Sequence, residues 1–210
     1  MSIEEAYNHW SAIYDSNENK TRDLEATILK KILNQFQFTT ILELGCGTGK
    51  NTEWLLNKCE SIVAVDFSEN MLQKAKEKIA SPKIKFIQAD INKDWKFVQE
   101  QFNLINCSLV LEHIKNLHHI FKQAHLKLEQ KGYLYIGELH PFKQYQGSKA
   151  RFETKKGVEI LDCYTHHISE FLQTALQNNF VLCNIEEAFD EDDEHSVPRI
   201  LSMLFQRVTN

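Results

Sequence analysis

Three of the chain's seven glycines lie within five residues of one another, in the stretch TTILELGCGTGKNT at positions 39–52. A short apolar run typical of a buried strand precedes these glycines, and a helical pattern follows them. Glycine accepts a positive φ and lets another molecule approach the backbone closely. A glycine-rich turn between a strand and a helix therefore predicts a ligand site at the carboxyl end of that strand.

Strand and helix patterns alternate along most of the chain, which predicts right-handed crossovers and a parallel sheet covered by helices on both faces. The last two strand patterns are joined by a short acidic stretch and should pair antiparallel. We expect an α/β fold, a doubly wound sheet with an antiparallel C-terminal hairpin and an N-terminal helical extension. The predicted strands are 40–44, 61–66, 84–90, 102–108, 133–139, 180–186 and 199–207; the main predicted helices are 3–16, 21–36, 50–58, 116–132 and 168–178.

The sequence shows no internal repeat and no low-complexity linker, so we interpret residues 1–210 as a single domain. Its four predicted parts differ in their expected roles. They are a helical lid or extension at 1–37, a cofactor-binding core at 38–139, a substrate-side insert at 140–167, and a helix with the C-terminal hairpin at 168–210.

Composition narrows the class of protein. A net charge of -5 argues against a nucleic-acid partner, because neutralising phosphates calls for a basic surface. The five cysteines are scattered without a C-x-x-C pair, which favours reduced thiols in the cytoplasm over a disulfide framework or a zinc site. The polar N-terminus and the absence of a long apolar run predict neither a signal peptide nor a membrane span. A monomer and a homodimer both remain open.

Three nucleotide chemistries compete for the glycine turn. A P-loop fails at both ends of its pattern, since Asn51 follows Gly49-Lys50 and Leu44 holds the first glycine position. A dinucleotide fold prefers G-x-G-x-x-G, whereas the third glycine here comes one residue early. S-adenosylmethionine instead needs a carboxylate for its ribose hydroxyls and a polar contact for its adenine. Asp66 and Asp90, at the ends of the second and third predicted strands, supply both.

With these acids in order, the sequence resembles the class I S-adenosylmethionine-dependent methyltransferases, in particular the small enzymes related to the ubiquinone-biosynthesis methyltransferases. The stretches ILELGCGTG, VAVDFSENML, FIQADI and FNLINCSLVLEHI carry the resemblance, over roughly residues 39–139. It implies a Rossmann-like seven-stranded sheet of order 3-2-1-4-5-7-6, with S-adenosyl-L-methionine as cofactor and S-adenosyl-L-homocysteine as product. One departure is Asn103, where similar sequences usually carry Asp.

The resemblance also implies a cofactor site built from the loops after the strands. Around the methionine part it implies Glu43, Gly45, Gly47 and Gly49; on the ribose, Asp66; beside the adenine, Phe67, Met71, Asp90 and Ile91; and, closing the site, the backbone near Cys107. In similar enzymes the N-terminal segment closes over the cofactor, which implies contacts from Tyr14 and Arg22. Simple packing of that segment on the sheet edge is the alternative.

Methyl transfer needs an aligned nucleophile and sometimes a base, for which histidine is suited near neutral pH. His140 directly follows the fifth predicted strand, and His166 and His167 precede the last long helix, so these three are the candidate catalytic residues. A hydrogen-bonded structural role is the alternative for each. His113 is interpreted as support for the loop after the fourth strand. No H-E-x-x-H pattern occurs, so no metal site is expected.

These observations predict a methyltransferase acting on an O, N or C nucleophile of a small molecule. The aromatic and basic residues near 142–152, among them Lys143, Lys149 and Arg151, indicate either a surface loop or a cover for an anionic acceptor. A protein methyltransferase and a non-catalytic S-adenosylmethionine-binding module stay open as alternatives. An NAD(P)-dependent dehydrogenase is disfavoured by the glycine spacing and the lack of a Tyr-x-x-x-Lys pair.

Overall fold

The computed structural model describes residues 3–11, 14–16, 18–148, 151–154, 157–160, 163–190 and 197–208, with the backbone alone for 151–154 and 157–160. The helices in these ranges are α1 (Ile3–Trp10), α2 (Lys20–Leu33), α3 (Lys50–Leu55), α4 (Glu69–Lys78), α5 (Leu117–Lys127), α6 (Pro141–Tyr145) and α7 (Ile168–Gln177), with a 3-10 turn at Leu111–His113. The strands are β1 (Phe38–Leu44), β2 (Cys59–Asp66), β3 (Ile84–Gln88), β4 (Phe102–Ser108), β5 (Leu128–Leu139), β6 (Arg151–Thr154), β7 (Gly157–Ile160), β8 (Phe180–Ala188) and β9 (Ile200–Arg207).

Seven of these strands form one sheet in the order β3-β2-β1-β4-β5-β9-β8. The pairs from β3 through to β5 are all parallel. β9 lies antiparallel between β5 and β8. Because β8 and β9 are the sixth and seventh strands of this sheet along the chain, the order is 3-2-1-4-5-7-6, and the predicted doubly wound sheet with an antiparallel last strand is confirmed.

Apolar side chains cover both faces of the sheet, because successive residues of a strand point to opposite faces. On one face Leu42 belongs to a cluster that includes Phe121 of α5 and Phe171 of α7. On the other, Ile41 packs in a cluster that includes Leu29 of α2. Strands buried on both sides read as continuous apolar runs, which is why the sequence located them.

The helix start before β1 differs by one residue from its predicted position. α2 begins at Lys20, and the side chain of Asn19 caps it by accepting a hydrogen bond of 3.0 Å from the backbone N–H of Arg22. Thr21, the first residue of the predicted helix and a residue type that often caps helices, lies within the first turn. Asn and Thr both serve as caps, so sequence alone could not decide between two such neighbours.

The boundary between α5 and β5 was predicted wrongly. The helix ends at Lys127 and the strand begins at Leu128, although the periodicity carried the helix on to Gly132. Leu128 is fully buried and pairs with Phe102, and the pairing register then shifts before the next strand pair. A β-bulge of this kind places extra residues in one strand, so pairing in the sheet overrides local helix propensity.

The insert after β5 holds structure that the sequence did not predict. It contains the short helix α6 and a two-stranded antiparallel sheet of β6 and β7. Of the basic residues predicted to rim a substrate cover, Lys149 lies outside the described residues, and Arg151 is described by its backbone alone. Residues 191–196 of the acidic C-terminal stretch also lie outside them. In the described part of the chain, no helix has the length and apolar character needed to cross a membrane.

Candidate active site

A cavity lies at the carboxyl ends of β1, β2, β3 and β4, where the strand order reverses between β1 and β4. Its walls come from the glycine turn after β1, from the loops after the other three strands, and from α1, α2 and Tyr14. Ligands of doubly wound sheets bind at this position. The cavity is therefore the candidate active site.

The glycine turn presents bare backbone to this cavity. Gly45 has a φ of 65°, and a Cβ added to it would lie 2.2 Å from Cγ2 of Val110 on the opposite wall. Gly47 also lines the cavity. Gly49 does not: it is the N-cap of α3, and a Cβ there would lie 2.7 Å from Cδ1 of Ile79. The three glycines thus serve two purposes, room for a ligand and close helix packing.

Asp66 joins the loops after β1 and β2. Its Oδ2 accepts a hydrogen bond of 2.8 Å from the backbone N–H of Gly47, and its Oδ1 accepts one of 2.8 Å from the N–H of Ser68. Burial raises the pKa of Asp66 to about 6, because a low-dielectric environment disfavours the charged carboxylate. The carboxylate lines the cavity with lone pairs to spare for donors from a ligand.

Glu43, the one acid of the glycine segment, also lines the cavity. It is buried, and its Oε2 accepts a hydrogen bond of 2.5 Å from the hydroxyl of Thr52. Burial, followed by the charge of Glu25, raises the pKa of Glu43 to about 8 despite that hydrogen bond. Glu43 thus forms a deep polar end to the cavity.

The predicted adenine contacts divide into those on the cavity wall and one behind it. Phe67, Asp90 and Ile91 line the cavity. Asp90 is held in an Asx turn, in which its Oδ1 accepts a hydrogen bond of 3.0 Å from the backbone N–H of Asn92. Met71 lies outside the lining, fully buried in a small cluster with α1.

The loop after β4 forms the wall facing the glycine turn. The backbone near Cys107 was predicted to close the site here; the next three residues, Ser108, Leu109 and Val110, line the cavity, and the Cys107 side chain lies in the core. The wall is held from beneath by Glu138, whose Oε1 accepts hydrogen bonds of 2.9 Å and 2.8 Å from two successive backbone N–H groups, those of Val110 and Leu111. Burial, then the charge of Glu112, raises the pKa of Glu138 to about 8.

We call α1 together with residues 14–16 the roof of the cavity. The roof is tied to two of the strand-end segments by polar contacts. The hydroxyl of Thr48 donates to Oδ1 of Asp15 at 2.6 Å, and Lys78 donates to the other oxygen of Asp15 at 2.7 Å. On the other side of the roof, the hydroxyl of Ser68 donates to Oδ1 of Asn8 at 2.7 Å.

Tyr14 and Arg22, the two predicted contacts from the N-terminal extension, both line the cavity. The guanidinium carbon of Arg22 lies 4.0 Å from the centre of the Tyr14 ring, and Nη1 of Arg22 donates to the backbone oxygen of Tyr14 at 2.8 Å. A cation over an aromatic face is a stabilising arrangement. It fixes the guanidinium at the edge of the cavity.

None of the three candidate catalytic histidines lines this cavity. His140 caps α6: its Nδ1 accepts from the backbone N–H of Phe142 at 3.1 Å, and its Nε2 lies 2.8 Å from Oε1 of Glu187. Its side chain is fully buried. His166 lies 2.7 Å from the backbone oxygen of Ile114, and His167 lies 2.6 Å from the hydroxyl of Tyr145. All three are engaged in contacts behind or beside the cavity.

A histidine that sequence analysis placed in a supporting role faces the cavity instead. His113 and Tyr7 of α1 both line it, and Nε2 of His113 lies 2.8 Å from the Tyr7 hydroxyl. The other ring nitrogen, Nδ1, is buried without a hydrogen-bond partner among the described residues. Oε1 of Glu112 lies 3.9 Å from Nε2 of His113. The position of His113 directly after the fourth strand pattern was the available signal.

The lining residues that were not predicted include two further polar ones, Glu25 of α2 and Asn51 of α3. Glu25 occupies the apolar stripe of its helix, where a lone acid is unusual, and that was a signal in the sequence. In the described part of the chain, no group of three or more His, Cys, Asp or Glu side chains could hold a metal ion.

Comparison with known proteins shows one matching family and several solved structures with the same fold. Residues 42–136 match the family described as a methyltransferase domain. A solved S-adenosylmethionine-dependent methyltransferase from Clostridium acetobutylicum superposes with a TM-score of 0.72 at 19% identity, covering 97% of this chain and 100% of that one. The N-methyltransferase NodS from Bradyrhizobium japonicum, solved with S-adenosyl-L-homocysteine, superposes with a TM-score of 0.70 at 18% identity, covering 97% of each chain.

The match spans the glycine turn and the carboxyl ends of β1 to β4, which form much of the cavity wall. Residues 42–136 are thus similar to a methyltransferase domain, and the fold of the chain is that of solved S-adenosylmethionine-dependent methyltransferases. Among curated relatives, a malonyl-[acyl-carrier protein] O-methyltransferase from Priestia megaterium is 27% identical to this chain over 168 residues, covering 78% of this chain and 56% of the relative. The chain spans less than two thirds of the length of the first such relatives.

Proposed function

We propose that this protein transfers the methyl group of S-adenosyl-L-methionine to a nucleophilic atom of a small molecule and releases S-adenosyl-L-homocysteine. The observation that carries the proposal is the convergence of the glycine turn, Asp66 and Asp90 on one cavity within the matched domain. The residues present fit the cofactor. Gly45 and Gly47 leave room along the backbone, and Asp66 offers an acceptor for two ribose hydroxyls.

The remaining walls fit the two ends of the same molecule. We assign the methionine end to the side of Glu43, Tyr14 and Arg22, and the adenine to the side of Phe67, Asp90 and Ile91. Arg22 is suited to the carboxylate of the methionine part, because guanidinium and carboxylate form paired hydrogen bonds. The roles predicted for Gly49, Met71 and Cys107 become indirect ones, since their side chains or backbone support the walls from behind.

The acceptor side of the cavity carries a hydrogen-bonded pair that can take up a proton. S-adenosylmethionine, when bound, supplies a methyl group on a positively charged sulfur. A neutral hydroxyl acceptor must lose its proton as the bond to carbon forms. That proton can pass to the oxygen of Tyr7 while the proton of Tyr7 passes over 2.8 Å to Nε2 of His113. The carboxyl group of Glu112, at 3.9 Å, would stabilise the resulting imidazolium.

Oxygen is the acceptor atom that the curated relatives favour. The Priestia megaterium relative is named for O-methylation of malonyl-[acyl-carrier protein], and a second relative from Ilyobacter polytropus has the same name. A carboxylate acceptor of that kind is already anionic and needs no base. We therefore propose O-methylation. A hydroxyl acceptor would need His113 as a base and a carboxylate acceptor would not, so the effect of replacing His113 distinguishes the two.

The cofactor is tested first by calorimetric titration of S-adenosylmethionine, S-adenosylhomocysteine and NADH. The wild type should bind the two sulfur nucleosides, and Asp66→Ala should weaken that binding by roughly ten- to hundredfold through loss of hydrogen bonds to a charged group. A folded wild-type protein that binds neither nucleoside refutes the proposal. Binding of NADH alone would support a dehydrogenase.

The acceptor is tested with labelled methyl. Malonyl-acyl carrier protein and malonyl-coenzyme A form one panel, and neutral phenols, alcohols and amines form the other. His113→Gln and Tyr7→Phe should slow transfer to neutral acceptors about 10²–10⁴-fold while leaving cofactor binding intact. Equal turnover by these variants removes the proposed proton path. Label in neither panel, with cofactor bound, would favour a non-catalytic binding module.

The five cysteines of the chain are free thiols. Free thiols persist in a reducing compartment, so we place the reaction in the cytoplasm. Secretion of the native protein in fractionated cells would contradict this assignment.

A further inference from the structure

Glu25 is a buried acid at the cavity that forms no ion pair in the described part of the chain. Burial raises the pKa of Glu25, and the charge of Lys50, which also lines the cavity, opposes that shift only in part. Its side chain is 1% exposed, yet it belongs to the cavity lining. Oε2 accepts a hydrogen bond of 2.9 Å from the amide of Asn51, and Oε1 accepts a longer one of 3.3 Å from the hydroxyl of Tyr135. Both donors are neutral, and no basic side chain of the described residues lies within salt-bridge distance of Glu25.

The fold makes room for this carboxyl group. A Cβ added to Gly137 of β5 would lie 2.5 Å from Oε1 of Glu25 and 2.9 Å from the hydroxyl of Tyr135. A side chain at that position would therefore displace both groups. Glycine in the middle of a buried strand weakens the strand, so its presence here marks a place where another group approaches closely.

Placing an acid in such a site is unfavourable unless a cation accompanies it. An ionised carboxylate loses its hydration on burial, and two neutral donors replace only part of it. A positively charged ligand group beside Glu25 would supply the missing partner. Glu25 lies one helical turn after Arg22, and side chains three residues apart on a helix are neighbours about 5–6 Å apart. Both side chains line the same cavity.

We propose that Glu25 binds the α-ammonium group of the methionine part of the cofactor, beside an Arg22 that binds its carboxylate. This inference rests on the proposed function and deepens it. One turn of α2 then recognises both charges of a zwitterionic amino acid. In this proposal Glu25 contributes to the binding of the cofactor and takes no part in methyl transfer.

Three related nucleosides with an uncharged sulfur test the assignment by calorimetry. S-adenosylhomocysteine carries both the ammonium and the carboxylate. S-adenosyl-3-thiopropylamine keeps the ammonium and lacks the carboxylate. 5′-Methylthioadenosine lacks both. Glu25→Gln should weaken binding of the first two by about 10- to 100-fold, the range expected for a hydrogen bond to a charged group. It should change binding of methylthioadenosine less than about threefold, within the scatter of such measurements.

Two further variants complete the design. Arg22→Gln should weaken the binding of S-adenosylhomocysteine and leave the binding of S-adenosyl-3-thiopropylamine unchanged. Glu60→Gln removes one negative charge from an exposed position of β2 outside the cavity lining and should leave all three affinities unchanged. Retained binding of methylthioadenosine by Glu25→Gln also reports that the adenosine half of the site is folded. If that variant does not fold, Glu25→Asp keeps the charge, withdraws it by one methylene, and should show the same selectivity in weaker form.

The three possible results of these titrations have different meanings. Equal weakening of all three nucleosides in the Glu25 variants would overturn the proposal in favour of a structural role. Unchanged affinities would overturn it as well. Failure of the wild type to bind any of the three would instead refute the proposed function, on which the assignment rests.

Discussion

Glu138 offers a test of how the cavity wall is held. Replacing it with Ala removes the acceptor of two backbone hydrogen bonds and leaves the N–H groups of Val110 and Leu111 without it. Each buried donor left unsatisfied costs about 1–3 kcal/mol, so Glu138→Ala should lower the free energy of unfolding by about 3–5 kcal/mol. Glu138→Gln keeps an oxygen acceptor at the same length and should be close to neutral below pH 4.5, where Glu138 is protonated in both the folded and the unfolded chain.

The same residue predicts a pH dependence with a definite sign. The folded-state pKa of Glu138 is raised from 4.5 to about 8, so the folded protein holds this proton more tightly than the unfolded chain does. Stability from this group is therefore full below pH 4.5 and falls as the pH rises toward 8. Between pH 6 and pH 8 the loss amounts to about 2 kcal/mol, since each pH unit contributes at most about 1.4 kcal/mol.

Urea unfolding of the wild type, Glu138→Gln and Glu138→Ala at pH 6, 7 and 8 measures both effects. Each free energy of unfolding is obtained by linear extrapolation. The difference between Gln variant and wild type should shift in favour of the variant by about 2 kcal/mol from pH 6 to pH 8. A difference that stays constant with pH would refute the raised pKa. An Ala variant as stable as the Gln variant would refute the role of the two hydrogen bonds.

Three further predictions concern the cavity. Gly45→Ala should lower the free energy of unfolding by about 1–3 kcal/mol, because alanine there would have a positive φ and would contact Val110. Gly147→Ala should cost only the strain of its positive φ. Thermal unfolding of the two variants measures the difference. The pKa of Asp66 near 6 predicts that cofactor affinity falls about tenfold per pH unit below that value, and titrations from pH 5 to 7.5 should show a flat profile in Asp66→Asn. Asp15→Asn should speed release of S-adenosylhomocysteine in stopped-flow experiments, and unchanged release would contradict a sealing role for this contact.

The fold and the part of the site formed by the loops after the strands could be predicted from the sequence, because both depend on local sequence pattern. Strands buried on both faces give continuous apolar runs, and the loops that follow them lie at one edge of a parallel sheet. Gly45, Asp66 and Asp90 were found because each lies at the end of a strand or directly after it. Their positions along the chain fix their positions in space.

The roof and the proton-accepting pair could not be located in this way. Tyr7 and His113 are separated by 106 residues and meet only once α1 has packed on the sheet. His140 lies directly after β5 as predicted, but a contact with Glu187, 47 residues away, turns its ring into the protein. Chain position indicated the edge of the sheet correctly in both cases. Side-chain direction depended on distant partners.

The roof has a consequence for the order of events in a catalytic cycle. α1 covers the cofactor cavity, and the same helix contributes Ile3 and Tyr7 to its lining. Displacing α1 to admit one ligand therefore dismantles part of the pocket for the other. If α1 must move to admit the nucleoside, we expect an ordered sequential kinetic scheme in which the nucleoside binds first and leaves last, and product-inhibition kinetics check this expectation.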